Sequence, residues 1–280
     1  IPWNFSPVLD LGRQPLWGRY YETFGEDVHL AKTMGKAFIK GYQGDNLKHP
    51  QKVAACLKHY VGYSFPLSGK DRTPAWIPYR MLKEYFLPTF KTAIEEGALS
   101  IMVNSGEVNG IPVHASYKLL TKVLRDELGF EGIILTDWED IIKLYKDHRI
   151  ADNMKEAVLI AINAGVDMSM TPNNYSFNDA LIELVKEGSI KESRLDESVR
   201  RILIAKEKLG LFEAPYPNFD NFPKFGSKEH ALQSLRAAKE AITLVKNENI
   251  LPLSTSAKIL VTGPGANSLN YISGGWTHTW

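Results

Sequence analysis

The segment GIILTDWED, residues 132–140, best defines the expected fold. Its first part, 132–136, is a short apolar run that passes directly into Asp137 and Trp138. Runs of this kind are typical of strands that are buried on both faces of a parallel sheet. Similar runs occur at 5–11, 53–60, 100–103 and 166–170, so the sequence predicts five parallel strands.

Helical periodicity separates these runs. The clearest repeat places Leu82, Phe86, Phe90 and Ile94 on one helix face, with Pro88 as an expected kink. Further helices are predicted at 25–40, 117–128, 153–163, 178–186 and 194–208. Strands that alternate with helices predict an α/β fold. Because a closed (β/α)8 barrel needs eight strands, five predict an incomplete TIM-like barrel and an internal piece of a longer polypeptide.

The composition changes after Gly210. The next stretch, LFEAPYPNFDNFPKFGS, combines three prolines with aromatic residues and little periodicity, which is typical of an interdomain linker. A helix predicted beyond it carries the apolar residues Leu232, Leu235, Ile242 and Val245. A strand, KILVTG at 258–263, is expected next. The sequence therefore predicts a second α/β domain that starts after the linker.

The charges of the chain are balanced. Lys and Arg total 33 against 32 Asp and Glu, so neither nucleic acid nor an anionic membrane is an expected partner. No apolar run approaches the ~18 residues that a membrane span needs. A neutral partner such as a sugar fits this composition better.

Neither a metal nor a cofactor is predicted. The seven histidines show no HExxH motif and no clustered metal spacing. The turn GPGANS follows a predicted strand, but Ser268 stands where a dinucleotide-binding fingerprint has its third glycine. Cys56, the only cysteine, lies in the apolar run VAACL and is predicted to be a buried free thiol.

Candidate site residues cluster at the predicted strand ends, where active sites of parallel α/β folds gather. The second strand ends in Lys58, His59 and Tyr60, and the fourth passes into Asp137 and Trp138. The first is followed by LGRQPLWGRYYETFGED, which is rich in arginine and aromatic residues. Together these segments supply the cations, carboxylates and rings that can hold and attack a polyhydroxylated ring.

Each of these residues also has a structural interpretation. A carboxylate beside an indole suits glycoside hydrolysis, but Asp137 could equally be a helix cap or a structural partner. Lys58 and His59 could be an ion pair and a satisfied histidine. Because neighbours in a strand point to opposite faces, both can reach one ligand only where the strand has given way to loop.

Five blocks of sequence, in this order, resemble glycoside hydrolase family 3. They are SPVLDLGRQPLWGRYYETFGED, KHYVG, NGIPVHAS with LLTKVLRDELGFEGIILTDWED, AGVDMSM, and AAKEAITLVKNENILPL. The resemblance spans nearly the whole chain. The terminal SGGWTHTW is similar to a segment of the exo-β-glucosidase branch, which includes the cereal β-glucan glucohydrolases.

The resemblance implies a retaining, exo-acting β-glycosidase that releases glucose from the nonreducing end of β-glucosides, through a covalent glycosyl-enzyme on Asp137. Arg19, Lys58 and His59 match residues that bind hydroxyls of the terminal sugar. Trp138 and Trp280 match two indoles that clamp the next sugar. The implied domains are the C-terminal part of the catalytic barrel at 1–209, a linker at 210–226, and the start of an α/β sandwich domain at 227–280.

Several positions depart from the family pattern. Gln14 and Leu16 replace an Asp and an Arg, and Ser105 stands where many members have a tyrosine that hydrogen-bonds the nucleophile. How Asp137 is oriented is therefore open. Glu139 and Asp140 follow the strand end by two or three places, so we expect them in a loop, further from the sugar. The general acid/base is expected beyond Trp280.

Other functions remain open at this stage. The chain could be a β-xylosidase, have another family 3 specificity, or be a noncatalytic sugar-binding relative. A dead copy has no reason to keep Asp137, Lys58, His59 and Arg19 together, which favours an enzyme. The family resemblance implies a periplasmic or extracellular location, and the sequence leaves the oligomeric state open.

Overall fold

The computed structural model describes residues 2–273 and residue 276. The chain divides into two compact units, one up to Phe222 and one from Pro223 onward. This division falls inside the segment predicted as a linker. The assignment of separate domains to 1–209 and 227–280 stays a prediction.

The first unit is built on a parallel sheet. Its strands and those of a small hairpin are β1 (Trp3–Asn4), β2 (Ala54–Tyr60), β3 (Ser100–Val103), β4 (Glu107–Val108), β5 (Ile111–Pro112), β6 (Ile133–Trp138) and β7 (Met168–Met170). Five of them form one sheet in the order β1-β2-β3-β6-β7, and each neighbouring pair is parallel. The fold is therefore α/β with a curled, incomplete TIM-like barrel, which confirms the predicted fold class.

Of the five strands predicted for the sheet, the first was placed at the wrong residues. The strand at this edge is β1, and residues 5–11 follow it without forming a regular ladder. Pro7 has no N–H to donate, which interrupts the ladder at that point. The segment nevertheless runs beside β2, because Val8 bridges to Lys58 and the Leu9 N–H donates to the Lys58 carbonyl at 2.6 Å.

Helices pack against both faces of the sheet. They are α1 (Val28–Gln43), α2 (Tyr79–Met81), α3 (Leu87–Glu95), α4 (Asp140–Lys146), α5 (Met154–Ala164), α6 (Ser176–Lys186) and α7 (Glu192–Lys208), with a π-helix at Lys118–Glu127. The helix α4 and the β4–β5 hairpin were not predicted. At the expected kink, Pro88 cannot donate to the fourth residue before it, and a π-helical turn, Leu82–Phe86, joins α2 to α3.

Side chains alternate between two apolar layers, as the strand period of two requires. Leu57, Ile101 and Ile134 belong to the main core, which the strands share with the helices. Their neighbours Cys56, Met102 and Leu135 form a separate cluster on the opposite face of the strands. The Cys56 thiol is free and fully buried, as predicted.

A buried cluster of ions lies at the amino end of the sheet, around Asp167 in the turn before β7. Both carboxylate oxygens of Asp167 accept two hydrogen bonds each, at 2.6 to 2.9 Å. The donors are the Arg125 and Arg201 guanidiniums, the Ser198 hydroxyl and the Ile134 N–H. Burial lowers the pKa of Arg125 to about 10. This Asp167 cluster ties α7 and the Lys118–Glu127 helix to β6.

The second unit contains α8 (Lys228–Ala241), a 3-10 turn (Pro264–Asn267) and α9 (Leu269–Ser273). Ser227 caps α8, because its hydroxyl accepts from the His230 N–H at 3.2 Å. The helix ends at Ala241, so its predicted extension through Val245 was wrong. The strand expected at 258–263 is also not formed in the described part of the chain. A single extended segment needs a partner strand for its backbone hydrogen bonds, and the described residues of this unit provide none.

Candidate active site

The carboxyl ends of β2 and β6 bring the predicted site residues together. Lys58 and Asp137 each lie two residues beyond a member of the cluster of Cys56, Met102 and Leu135, and their charges interact. The His59 Nε2 lies 3.7 Å from the Asp137 Oδ2. The pairing of β2 with β3 shifts register between Leu57 and Tyr60. This irregularity, rather than an early end of the strand, brings Lys58 and His59 to one site.

His59 is held by partners on both ring nitrogens. Its Nδ1 lies 2.8 Å from the Asp10 Oδ2, and its Nε2 lies 3.1 Å from the Arg19 Nη2. A guanidinium can only donate, so Nε2 accepts and Nδ1 carries the proton. Burial, together with Arg19 and Lys58, lowers the pKa of His59 well below its usual value. The imidazole is therefore neutral and fixed in one tautomer.

Arg19 lies on the segment after β1, where the sequence placed it. Its guanidinium makes a two-pronged bond to Glu22, with Nε to Oε1 at 2.6 Å and Nη2 to Oε2 at 2.9 Å. Lys58 is half-buried nearby, and burial and the Arg19 charge lower its pKa. The neutral His59 ring thus lies 3.7 Å from the Asp137 carboxylate, Arg19 contacts that ring, and the charge of Lys58 interacts with Asp137.

Asp10 belongs to the candidate site and was not predicted from the sequence. It is buried, and its Oδ2 accepts from both the backbone N–H and the Nδ1–H of His59, each at 2.8 Å. Its Oδ1 has no hydrogen-bond partner among the described residues. Burial raises the pKa of Asp10 to about 7. A carboxylate inside the apolar run PVLDL was the signal that could have identified it.

Asp137 itself is buried but lightly bonded. Within the described residues, its Oδ1 accepts from the Trp138 N–H at 2.6 Å. The Arg72 Nη2 lies 4.0 Å from the same oxygen. The Trp138 indole next to it is 41% exposed, so a ligand can reach it. Trp280 lies outside the described residues.

Asp140 is not in a loop, contrary to the prediction, because it is the first residue of α4. Glu139 has a φ of 54°, in the left-handed region, and this turn leads directly from β6 into α4, where Asp140 is the first residue. Asp140 is 2% exposed. Its carboxylate accepts from the Arg72 guanidinium at 3.2 Å, from the Lys143 Nζ at 2.5 Å, and from the Ser105 hydroxyl. Asp140 is thus a buried anchor beside the site.

Within 2–273 and 276, no group of three or more His, Cys, Asp or Glu residues is arranged to hold a metal ion. In the same residues, no helix has both the length and the apolar character needed to cross a membrane.

Comparison with known proteins identifies the family. The family described as "Glycosyl hydrolase family 3 N terminal domain" matches residues 1–205 of this chain. The chain belongs to glycosyl hydrolase family 3. The resemblance inferred from the sequence blocks is therefore confirmed.

Relatives within family 3 cover the whole chain. It is 52% identical to the "Lysosomal beta glucosidase" of Dictyostelium discoideum, over 100% of this chain and 35% of the relative. It is 38% identical to a "Putative beta-xylosidase" of Formosa agariphila, over 92% of this chain and 35% of the relative. The exo-1,3/1,4-beta-glucanase of a Pseudoalteromonas species superimposes with a TM-score of 0.89 at 34% identity, over 100% of this chain and 36% of that one. The chain spans about a third of the length of the curated relatives it matches.

Proposed function

We propose that this family 3 chain carries the nucleophile of a retaining, exo-acting β-glycosidase that releases glucose from the nonreducing end of β-glucosides. One observation carries the proposal. The Asp137 carboxylate lies at the carboxyl end of β6, 3.7 Å from the His59 ring, with few hydrogen bonds of its own. A carboxylate in this state can attack an anomeric carbon without first breaking a strong ion pair.

The surrounding residues suit recognition of the terminal sugar. The guanidinium of Arg19 and the ammonium of Lys58 donate charge-assisted hydrogen bonds to sugar hydroxyls. Asp10 and Arg19 hold the two ring nitrogens of His59, so the orientation of the ring at the site is fixed. Trp138, and Trp280 by family resemblance, provide flat apolar faces for the next sugar.

Chemistry proceeds in two steps. The ionised Asp137 attacks the anomeric carbon while a general acid protonates the leaving oxygen, and water then cleaves the glycosyl-enzyme with retention of configuration. The acid must stand ~5 Å from Asp137 in a retaining pair. By family resemblance we expect it beyond Trp280, and it is not assigned to a residue of this chain.

Trapping of the intermediate tests the proposal. A 2-deoxy-2-fluoro-glucoside with a good leaving group slows both steps, but slows deglycosylation more, so a covalent adduct should accumulate on the full-length protein. Peptide mapping should place the label in GIILTDWEDIIK, on Asp137. A label on Glu139, on Asp140 or in another peptide contradicts the assignment. Release of a sugar with inverted configuration contradicts the mechanism.

A β-xyloside is the second candidate substrate, because the Formosa relative is named a putative beta-xylosidase. A matched pair of 4-nitrophenyl β-glucoside and β-xyloside separates the two candidates. We expect the larger kcat/KM for the glucoside, since the relative at 52% identity is named a beta glucosidase. That relative is also named lysosomal, which supports a location outside the cytosol, and a periplasmic or extracellular site remains our expectation.

A further inference from the structure

Arg72 connects a buried anion to the proposed nucleophile. Its Nη1 donates to the Ser105 Oγ at 2.8 Å and to the Asp140 Oδ1 at 3.2 Å. Its Nη2, on the other branch of the same fork, lies 4.0 Å from the Asp137 Oδ1. One planar cation therefore faces both carboxylates.

The anchor behind Arg72 is buried and bound by several side chains. Asp140 is 2% exposed and also binds Lys143 at 2.5 Å, while the Ser105 hydroxyl donates to its second oxygen. Although burial alone would raise it, His114 and Lys143 hold the pKa of Asp140 below its usual value. Asp140 thus stays ionised, and it holds one side of the guanidinium by charge. The Arg72 side chain keeps about a third of its surface exposed, at 34%.

The loop that carries Arg72 is fastened to the site as well. Arg72 has a φ of 59°, a left-handed conformation that residues other than glycine seldom adopt. The preceding Asp71 accepts from the Trp17 Nε1 at 2.7 Å and from the Tyr63 hydroxyl at 2.9 Å. Two side chains from different segments therefore hold the loop in the conformation that aims Arg72.

We propose that Arg72 is a positioning residue for Asp137, an inference that rests on the function proposed above. Its charge, 4.0 Å from the Asp137 Oδ1, orients the attacking carboxylate in place of direct hydrogen bonds from side chains. Ser105, whose hydroxyl contacts Arg72 and Asp140 in the described part of the chain, acts through Arg72. This arrangement accounts for the orientation of Asp137 in a chain that has Ser105 where many family members have a tyrosine.

Kinetics of four variants of the full-length protein test this role: Arg72→Ala, Arg72→Lys, Ser105→Ala and the double variant with both alanines. Arg80→Ala is the matched control, because that arginine side chain is 92% exposed. The readouts are kcat and KM for 4-nitrophenyl β-glucoside, the rate of inactivation by the 2-fluoro-glucoside, and thermal melting.

We expect Arg72→Ala to lower kcat/KM and the inactivation rate ~10- to 100-fold, mostly through kcat, which is less than loss of a direct oxyanion donor causes. Arg72→Lys should recover part of this loss, because it restores the charge without the fork. Ser105→Ala should cost ~3- to 10-fold alone and nothing further in the Arg72→Ala background. Arg80→Ala should behave as wild type.

Each contrary outcome points to a specific failure. Wild-type kinetics in a folded Arg72→Ala variant overturn the positioning role. If Ser105→Ala causes its full loss of activity in the Arg72→Ala background as well, the inference that Ser105 acts through Arg72 is overturned. If Arg72→Ala does not fold, Ser105→Ala decides, and an unchanged inactivation rate overturns the proposal. A wild-type protein that gives no labelled Asp137 contradicts the proposed function itself, independently of Arg72.

Discussion

Asp137 and Asp167 lie at opposite ends of the same sheet, and both are buried. Asp167, at the amino end, accepts four hydrogen bonds, two of them from arginines. Asp137, at the carboxyl end, accepts one from the described residues, and Arg72 and His59 stand 4.0 and 3.7 Å away. A carboxylate with every lone pair engaged stabilises the fold, whereas one with spare capacity is available to a substrate.

The largest effect expected from this contrast is on activity. Asp137→Asn keeps the shape of the side chain but removes the charge that attacks, so kcat/KM should fall by several orders of magnitude, more than ~4 kcal/mol of transition-state stabilisation. Thermal melting should be nearly unchanged. Steady-state kinetics and melting of the full-length protein measure both quantities. If the Asp137→Asn variant kept activity within tenfold of wild type, Asp137 would not be the residue that attacks, and the functional contrast with Asp167 would be wrong.

The reverse pattern is expected at the amino end. Asp167→Ala leaves the partly buried Arg125 and Arg201 without their buried anion, which should cost ~3–5 kcal/mol of unfolding free energy in urea. The kcat of the protein that remains folded should not change. Asp126→Ala is the control, because that carboxylate forms an exposed pair with Lys122 and should cost under ~0.5 kcal/mol. Equal losses in both variants would show that the cluster is not a special source of stability.

The buried Asp10 should make the stability of the fold depend on pH. Its folded pKa of about 7 lies above its usual 3.8, so its stabilising effect is complete below pH 3.8 and is lost as the pH rises toward 7. Over this window the wild type should lose up to ~4 kcal/mol of stability relative to Asp10→Asn, which cannot ionise. Urea unfolding of both proteins between pH 4 and pH 8 measures the difference. Parallel pH profiles would mean that the Asp10 carboxyl is not perturbed.

The smallest effect concerns the rim of the site. Trp138→Ala should lower kcat/KM for a β-linked disaccharide by ~1 kcal/mol, the value of one stacked ring, and should affect an aryl monoglucoside less. Trp76→Ala is a control, because that indole is also exposed, at 57%. An equal loss for both substrates would mean that Trp138 supports the fold and does not contact the second sugar.

Local sequence was sufficient for the parts of the fold that depend on near neighbours. The strand 100–103 was predicted at the bounds it has in the structure, and the ends of β2 and β6 were located well enough to bring Lys58 and Asp137 together. The strand at 258–263 failed, because a strand depends on its partner and not on its composition alone.

The residues that were missed depend on contacts that are distant in sequence. Arg72 meets Asp140 across 68 positions, and its own segment, SGKDRTP, is typical of a polar surface loop. Asp10 contacts His59 across 49 positions. Residue spacing carries no information about such pairs, so Asp140 was placed in a loop and its role as an anchor was not anticipated.

The contact between Asp167 and Ile134 has a consequence for motion. The Ile134 N–H donates to the Asp167 carboxylate, and the Ile134 carbonyl accepts from the Asp167 N–H, at 2.9 and 2.8 Å. The Ile134 amide proton is therefore shielded by a side chain that belongs to an ion cluster, and not by the carbonyl of an adjacent strand. Its exchange with deuterium should follow the opening of that cluster, so this single amide can report when the base of β6 loosens, three residues before the carboxylate that performs the chemistry.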